Sequence, residues 1–361
     1  MTEPQPEDIL ESVTEQLDQL VAEGKITTLQ ARMAVEDILH EMTVTVYEEI
    51  YKNIPKYVSK REREDRGFLT RHKRHWGKPF KLLKALVIYA EDVGSSFNNK
   101  YRQQAFDSTD YKFEAMVGLH ARSILIANEI LCLLESGLAD GAFSRWRSLH
   151  ELSVVGACIF GSDQEVAKRY LLNVHVQNYY AMRQHQKHHK KANLGEFSKE
   201  EIEHIEVLFK HVQDAYPGEV KGDYWWCKPV IKKDKPNFAD IEECNGMDHW
   251  RPRYKWASQY IHGNFKPHHT LLGMAGENAQ VMLVGLSNRG LTDPAHSMAI
   301  SLIQITSALI LQRPITEHIV MARALQDLCE KVGEAFLSTE RRLTRLHEKR
   351  LQREAAKQVS K

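Results

Sequence analysis

Arg147 and Glu151 stand four apart in SRWRSLHELSVVGACIF, where a polar run gives way to an apolar one. On a helix that spacing puts a guanidinium and a carboxylate on one face. Such a pair either closes on itself at the edge of a core or aims a guanidinium, oriented by Glu151, at a phosphate or carboxylate. Tyr254, Ser258 and His262 recur every four residues in RYKWASQYIHGNFKPHH. This predicts a two-turn helix that presents all three on one face and that Gly263 closes. A histidine there either caps its own helix or works as a general acid–base, since imidazole titrates near neutrality. Ser258 is read as a hydrogen-bonding neighbour, because nothing around it resembles a nucleophile elbow. Arg122, Asn128 and Glu129 interrupt an apolar helix, and buried polar groups need partners. They are expected to meet Arg147 and Glu151 across a bundle. The expected site is therefore His262, Arg147 and Glu151 as catalytic groups, with Tyr254, Ser258 and Arg122 binding ligand.

Metal and cofactor signals are weak. His185, His188 and His189 share one turn of RQHQKHHKK at spacings that suit a divalent cation, but the lysines around them favour a solvated basic surface. The five cysteines, Cys132, Cys158, Cys227, Cys244 and Cys329, form no C-x-x-C pair. That pattern fits a reducing compartment better than a disulfide framework. Neither a Gly-rich phosphate loop nor H-E-x-x-H occurs. No metal and no cofactor is assigned.

The elements that would hold these residues are helical. Apolar residues at 3.6-periodicity predict helices over roughly 7–23, closed by Gly24, and over 27–51, opened by a threonine cap and ended by Pro55. Twelve Lys and Arg then crowd into residues 52–84. This run reads as an exposed basic connection or as a phosphate-binding strip. Further helices are expected at 110–136, 140–160 and 163–191, joined by links short enough to make antiparallel neighbours. Another is expected at 198–214, with Ser198 and Glu201 as a capping box. Residues 215–250 carry repeated Pro and Gly and the Trp225–Trp226 pair, and read as a long loop. Residues 280–294 read as turn-rich, with room for a short extended piece. A helix over 294–335, broken near Pro314, and a basic helix over 338–357 complete the chain.

No alternating strand series is present, so the fold class is all-α. The expected architecture is a multi-helix bundle, residues 79–335, with an N-terminal helical appendage and basic linker over 1–78 and a basic C-terminal helix over 336–361. The 361 residues include 49 Lys+Arg and 48 Asp+Glu, a net charge of +1. That balance excludes a surface that is cationic throughout, but not a local basic patch. The acidic start MTEPQPEDILES has no signal-peptide pattern. The most apolar windows, Leu149–Phe160 and Leu302–Leu311, fall short of the ~18–20 residues of a membrane span. A cytoplasmic protein without a membrane partner is expected.

Three strings in order carry a likeness: Gly137…Ala142-x4-Arg147-Ser-Leu-x-Glu151, then Tyr254-x3-Ser258-x2-Ile261-His262, then Gly285-Leu-Ser…Gly290-Leu. Together they resemble a bacterial and archaeal family of uncharacterised helical proteins, over roughly residues 110–312. That resemblance implies a fold more than a function. Arg145-x4-His150 also resembles, more distantly, the motif of the HEPN superfamily of helical bundles. Many of those are metal-independent ribonucleases of toxin and phage-defence systems. Three other Arg-x4-His matches occur, at Arg183/His188, Arg313/His318 and Arg342/His347, and Trp146 stands where that motif has a polar residue. Two functions follow. One is a helical module binding a ligand or partner (RNA, another phosphate-bearing molecule, a protein or a second copy), placed by the resemblance in a defence or toxin-type system. The other is a HEPN-like ribonuclease, with His262 as base on a ribose 2′-OH and Arg147 stabilising phosphorane charge.

Overall fold

The computed structural model describes residues 6–263, 271–274 and 283–359. Of the chain, 81% is helical, and among the described residues there are eleven α-helices and no strand. The all-α reading holds. Two compact units divide the chain, Met1–Gly67 and Phe68–Lys361.

In the first unit, α1 (Pro6–Ala22) is followed by Gly24 at φ +69° and then by the start of α2 (Thr28–Asp107). Glycine adopts that conformation without steric cost. Burial in this unit centres on Ala31, with Leu17, Leu20, Val21, Ala34, Val35, Ile38 and Met42 half-buried. That is the pattern of a helical hairpin. The expected stop at Pro55 is not made, because α2 runs through it. Proline removes one backbone donor, and at this exposed position the carbonyl left over is open to solvent. The charge run beyond it, expected as a connection, supports helix through the i,i+4 pairs Arg61–Asp65 and Glu62–Arg66.

The second unit holds the large hydrophobic cluster, which among the described residues runs from Trp76 to Phe336. The α2 residues Trp76, Phe80, Leu83 and Leu86 are fully or almost fully buried, so the basic run from Phe68 onward is one face of a core helix. At the centre, α3 (Tyr111–Glu135), α4 (Ala139–Gly161) and α10 (Thr292–Ile310) pack on one another. Outside them lie α5 (Gln164–His188) on α3, α6 (Lys199–Ala215) on α5, and α11 (Thr316–Val359) on α10. Helix α3 is the one described helix whose length and apolarity would suit a membrane span. Half of its apolar window is buried inside the bundle.

Local signals set the ends of these helices. Asp110 and Asp163 cap α3 and α5, each accepting from a backbone N–H of the first turn, and Ser198 with Glu201 forms the expected capping box of α6. Between α6 and α10 the loop expected over 215–250 contains α7 (Lys228–Ile231) and α8 (Phe238–Cys244), and α9 (Arg251–Ser258) follows, with 3-10 turns among them. Trp225 and Trp226 are buried there against α5 side chains rather than displayed. The expected separate tail helix is part of α11, continuous from Thr316. The break near Pro314 is present, between α10 and α11. Residues 280–282 of the expected turn-rich stretch lie outside the described residues, and 283–291 contain no strand.

Candidate functional site

Helices α4 and α9 bring Arg147, Glu151 and Tyr254 together. Arg147 Nη2 lies 3.0 Å from Glu151 Oε1 and donates to Tyr254 Oη at 2.6 Å. The phenol in turn donates to Glu151 Oε1 at 2.6 Å. The guanidinium carbon sits 4.8 Å from the centre of the Tyr254 ring. Burial chiefly, then the Glu151 carboxylate that accepts its hydrogen bond, holds the Tyr254 phenol well above its ordinary range. It therefore stays protonated and bridges the ion pair; it has no basic form near neutrality. Tyr224 belongs to the same surroundings, pushed up to about 12 by burial first and then by Glu151 and Asp223.

Beneath this cluster lies a buried one. His150 is 1% exposed and Glu242 of α8 is 0% exposed, with His150 Nε2 at 2.9 Å from Glu242 Oε1. Arg251, the first residue of α9, places Nη2 2.5 Å from Glu242 Oε2, as an ion pair without hydrogen-bond alignment. Trp146, Phe238, Trp250 and Tyr254 surround the His150 ring. A carboxylate removed from water needs compensation, and His150 and Arg251 provide it. Sequence reasoning passed over this triad. Glu242 and Arg251 belong to short elements between turns, where no periodicity announces a buried face.

The other expected site residues lie elsewhere. Helix α9 ends at Ser258, so Tyr254, Ser258 and His262 do not share one helical face. Ser258 Oγ donates to the Tyr254 carbonyl at 2.8 Å, an intrahelical bond. His262 is exposed beyond the helix end, and among the described residues no side-chain contact joins it to Arg147 or Glu151. Arg122 is exposed on α3, where its charge acts on Tyr170. Glu129 pairs with Arg145 rather than with Arg147, and Asn128 donates to the Ile124 carbonyl within its own helix. Arg145 and His150, the Arg-x4-His pair of the sequence, are thus each engaged with a different carboxylate. His185 and His189 are occupied by the Gly195 carbonyl and the Glu196 carboxylate.

The glycine-bearing strings of the likeness have structural work. Gly137, at φ +78°, has its carbonyl accept from Ser287 N–H at 2.9 Å, and a Cβ there would come within 2.8 Å of Ser287 O. Ser287 Oγ donates to the Gly273 carbonyl at 2.7 Å, while Asp140 accepts from the N–H groups of Leu272 and Gly273. A Cβ on Gly290 would meet the Leu272 carbonyl at 2.3 Å. These residues stitch the segments around 272 and 287 to the α3–α4 corner.

A second arrangement is electrostatic. Arg342 of α11 donates to the His75 carbonyl of α2 at 2.9 Å, so two basic stretches 267 residues apart lie side by side. One cavity of about 360 Å³ is lined by Ser338, Arg341, Arg342, Arg345, Leu346 and Lys349. It has four cations and no carboxylate. Another, of about 500 Å³, joins His75, Arg289, His347 and Arg350 to an apolar wall that includes Phe68, Leu286, Leu343 and Leu346. A third, of about 390 Å³, carries Lys73, Lys81 and Lys84 beside His72 and Glu135. Burial first, then the charges of Arg342 and Arg74, holds the His75 imidazole below its ordinary range, as a positive potential requires.

Neither a curated protein nor a solved structure matches the chain. Residues 113–278, from α3 through α9, match a family of unknown function, DUF5677.

Proposed function

We propose that this protein is a helical binding module for a phosphate-bearing ligand, RNA being the class best suited, and that the face shared by α2 and α11 receives it. The observation that carries this reading is the Arg342–His75 contact, which joins two basic stretches into one surface. Arg341, Arg345 and Lys349 recur at spacings of four, and among the described residues no carboxylate pairs with any of them. Like charges at that spacing destabilise a helix by a few tenths of a kcal/mol per pair. A polyanion turns this repulsion into counterion-releasing contacts. The Arg147–Glu151–Tyr254 cluster serves the fold in this reading, since Arg147 Nη2, Tyr254 Oη and Glu151 Oε1 are engaged with one another, although Arg147 Nε is buried without a hydrogen-bond partner.

Fluorescence anisotropy with labelled tRNA tests it. The Arg341→Glu/Arg345→Glu variant is expected to bind at least about tenfold more weakly, and to lose about 1.5–2 from the slope of log affinity against log salt, one phosphate contact per guanidinium. Parent protein that does not bind tRNA, or a variant that binds equally well, overturns the reading. If the parent cuts tRNA and His262→Ala abolishes cutting, the ribonuclease reading replaces it.

A further inference from the structure

The first unit leaves one stretch of α2 without any covering. Val44, Tyr47, Ile50, Tyr51, Ile54, Tyr57 and Val58 are 41–67% exposed. Tyr47, Ile50, Ile54 and Tyr57 follow the alternating spacing of three and four that defines a coiled-coil seam, and Val44, Tyr51 and Val58 flank it at sevens. The stretch is also rich in β-branched residues (Thr43, Val44, Thr45, Val46, Ile50, Ile54, Val58), which favour helix weakly.

We propose that a second copy of this chain covers the stripe, the two α2 segments running antiparallel about a two-fold axis between Ile50 and Tyr51. Charge sets the direction. Residues 36–49 contain five carboxylates and no Lys or Arg; residues 52–61 contain four Lys or Arg and no carboxylate. Parallel pairing would set like blocks together. Antiparallel pairing lays the acidic block of each copy alongside the basic block of the other. The apolar residues mirror about the same point: Val44 with Tyr57, Tyr47 with Ile54, Ile50 with Tyr51. A closed two-fold interface needs this self-complementarity. Among the described residues, Glu41, Glu48, Glu49, Lys52, Lys56 and Lys60 have no ion-pair partner within the chain, so neither block is neutralised from within. The seven side chains expose roughly 800 Å² per copy, close to the share of each partner in a standard-size interface. The pairing is independent of the basic face described above.

Sedimentation equilibrium of the full chain at micromolar concentration is expected to give twice the 41.7 kDa chain mass. Lys52→Glu/Lys56→Glu/Lys60→Glu and Glu41→Lys/Glu48→Lys/Glu49→Lys are each expected to sediment as monomers alone, and equal amounts mixed should return to the dimer. Cysteine cross-linking, in a Cys132→Ser/Cys244→Ser background that removes the exposed thiols, reads the direction without relying on charge variants. Val44→Cys should form a disulfide with Tyr57→Cys in a mixture and not with itself. A monomeric parent overturns the proposal, and so does a Val44→Cys protein that cross-links to itself as readily as to Tyr57→Cys.

Discussion

Glu151 and Glu242 face the same tyrosine-and-tryptophan surroundings from two depths, and the depth decides what each contributes. Glu151 is 33% exposed, so water screens its attraction to Arg147. Partly exposed pairs of this kind contribute about 0.2–1 kcal/mol. Glu242 is fully buried, and removing it leaves His150 and Arg251 facing an emptied site. Breaking a buried pair costs about 3–5 kcal/mol. Urea unfolding followed by circular dichroism should therefore show a much larger fall in midpoint for Glu242→Ala than for Glu151→Ala. Equal losses would mean that the buried triad does not anchor α8 and α9 to α4. The arginine–glutamate spacing was legible in the sequence because both members sit on one helix. The triad was not, because its members come from three elements and meet only when α8 and α9 fold onto α4.

At the scale of elements, α2, α3 and α10 meet closely around one histidine. His120 of α3 is 4% exposed, and its Nε2 lies 3.1 Å from Thr306 Oγ1 of α10. On the other side it presses on α2 at Gly94, where a Cβ would come within 2.2 Å of the ring. Burial lowers the imidazole pKa to about 4. The unfolded chain takes up a proton near pH 6.5, and the folded one does not until about pH 4. Stability is therefore greatest above pH 6.5 and falls as pH drops toward 4, by up to ~3 kcal/mol for this group. Urea midpoints between pH 7 and pH 4.5 should fall less steeply in His120→Gln than in the parent, because the variant has no proton to take up on unfolding. An unchanged pH slope would show that other groups carry the acid sensitivity. Helix ends were legible where a cap or a left-handed glycine marks them, as at Asp110, Ser198, Gly24 and Gly137. They were misjudged at Pro55 and at 338, where no such signal stops the chain and a proline alone does not end a solvated helix.

At the scale of the whole chain, the large buried hydrophobic cluster among the described residues lies between Trp76 and Phe336. A chain beginning at Phe68 is therefore expected to keep the cooperative thermal transition of the parent, within a few degrees by circular dichroism, and to sediment as a monomer. A truncated chain that lacks a transition would mean that the first 67 residues supply stability to the second unit.

What the sequence determined alone was the class of structure and the sites of local chemistry. Helical period, capping residues and short links act between neighbours in the chain, and they specify an all-α bundle with Arg147 and Glu151 on one face. The pairing of Tyr254 with them, the burial of His150 on Glu242, and the meeting of Arg342 with His75 join residues 92 to 267 positions apart. No local rule links such positions. They come together because three apolar helices must bury their faces at once, and that packing decides which polar side chains are left facing each other. His262 shows the same limit from the other side. Its spacing from Ser258 is helical, but α9 stops four residues short of it, so a residue that periodicity assigned to the site stands outside the cluster.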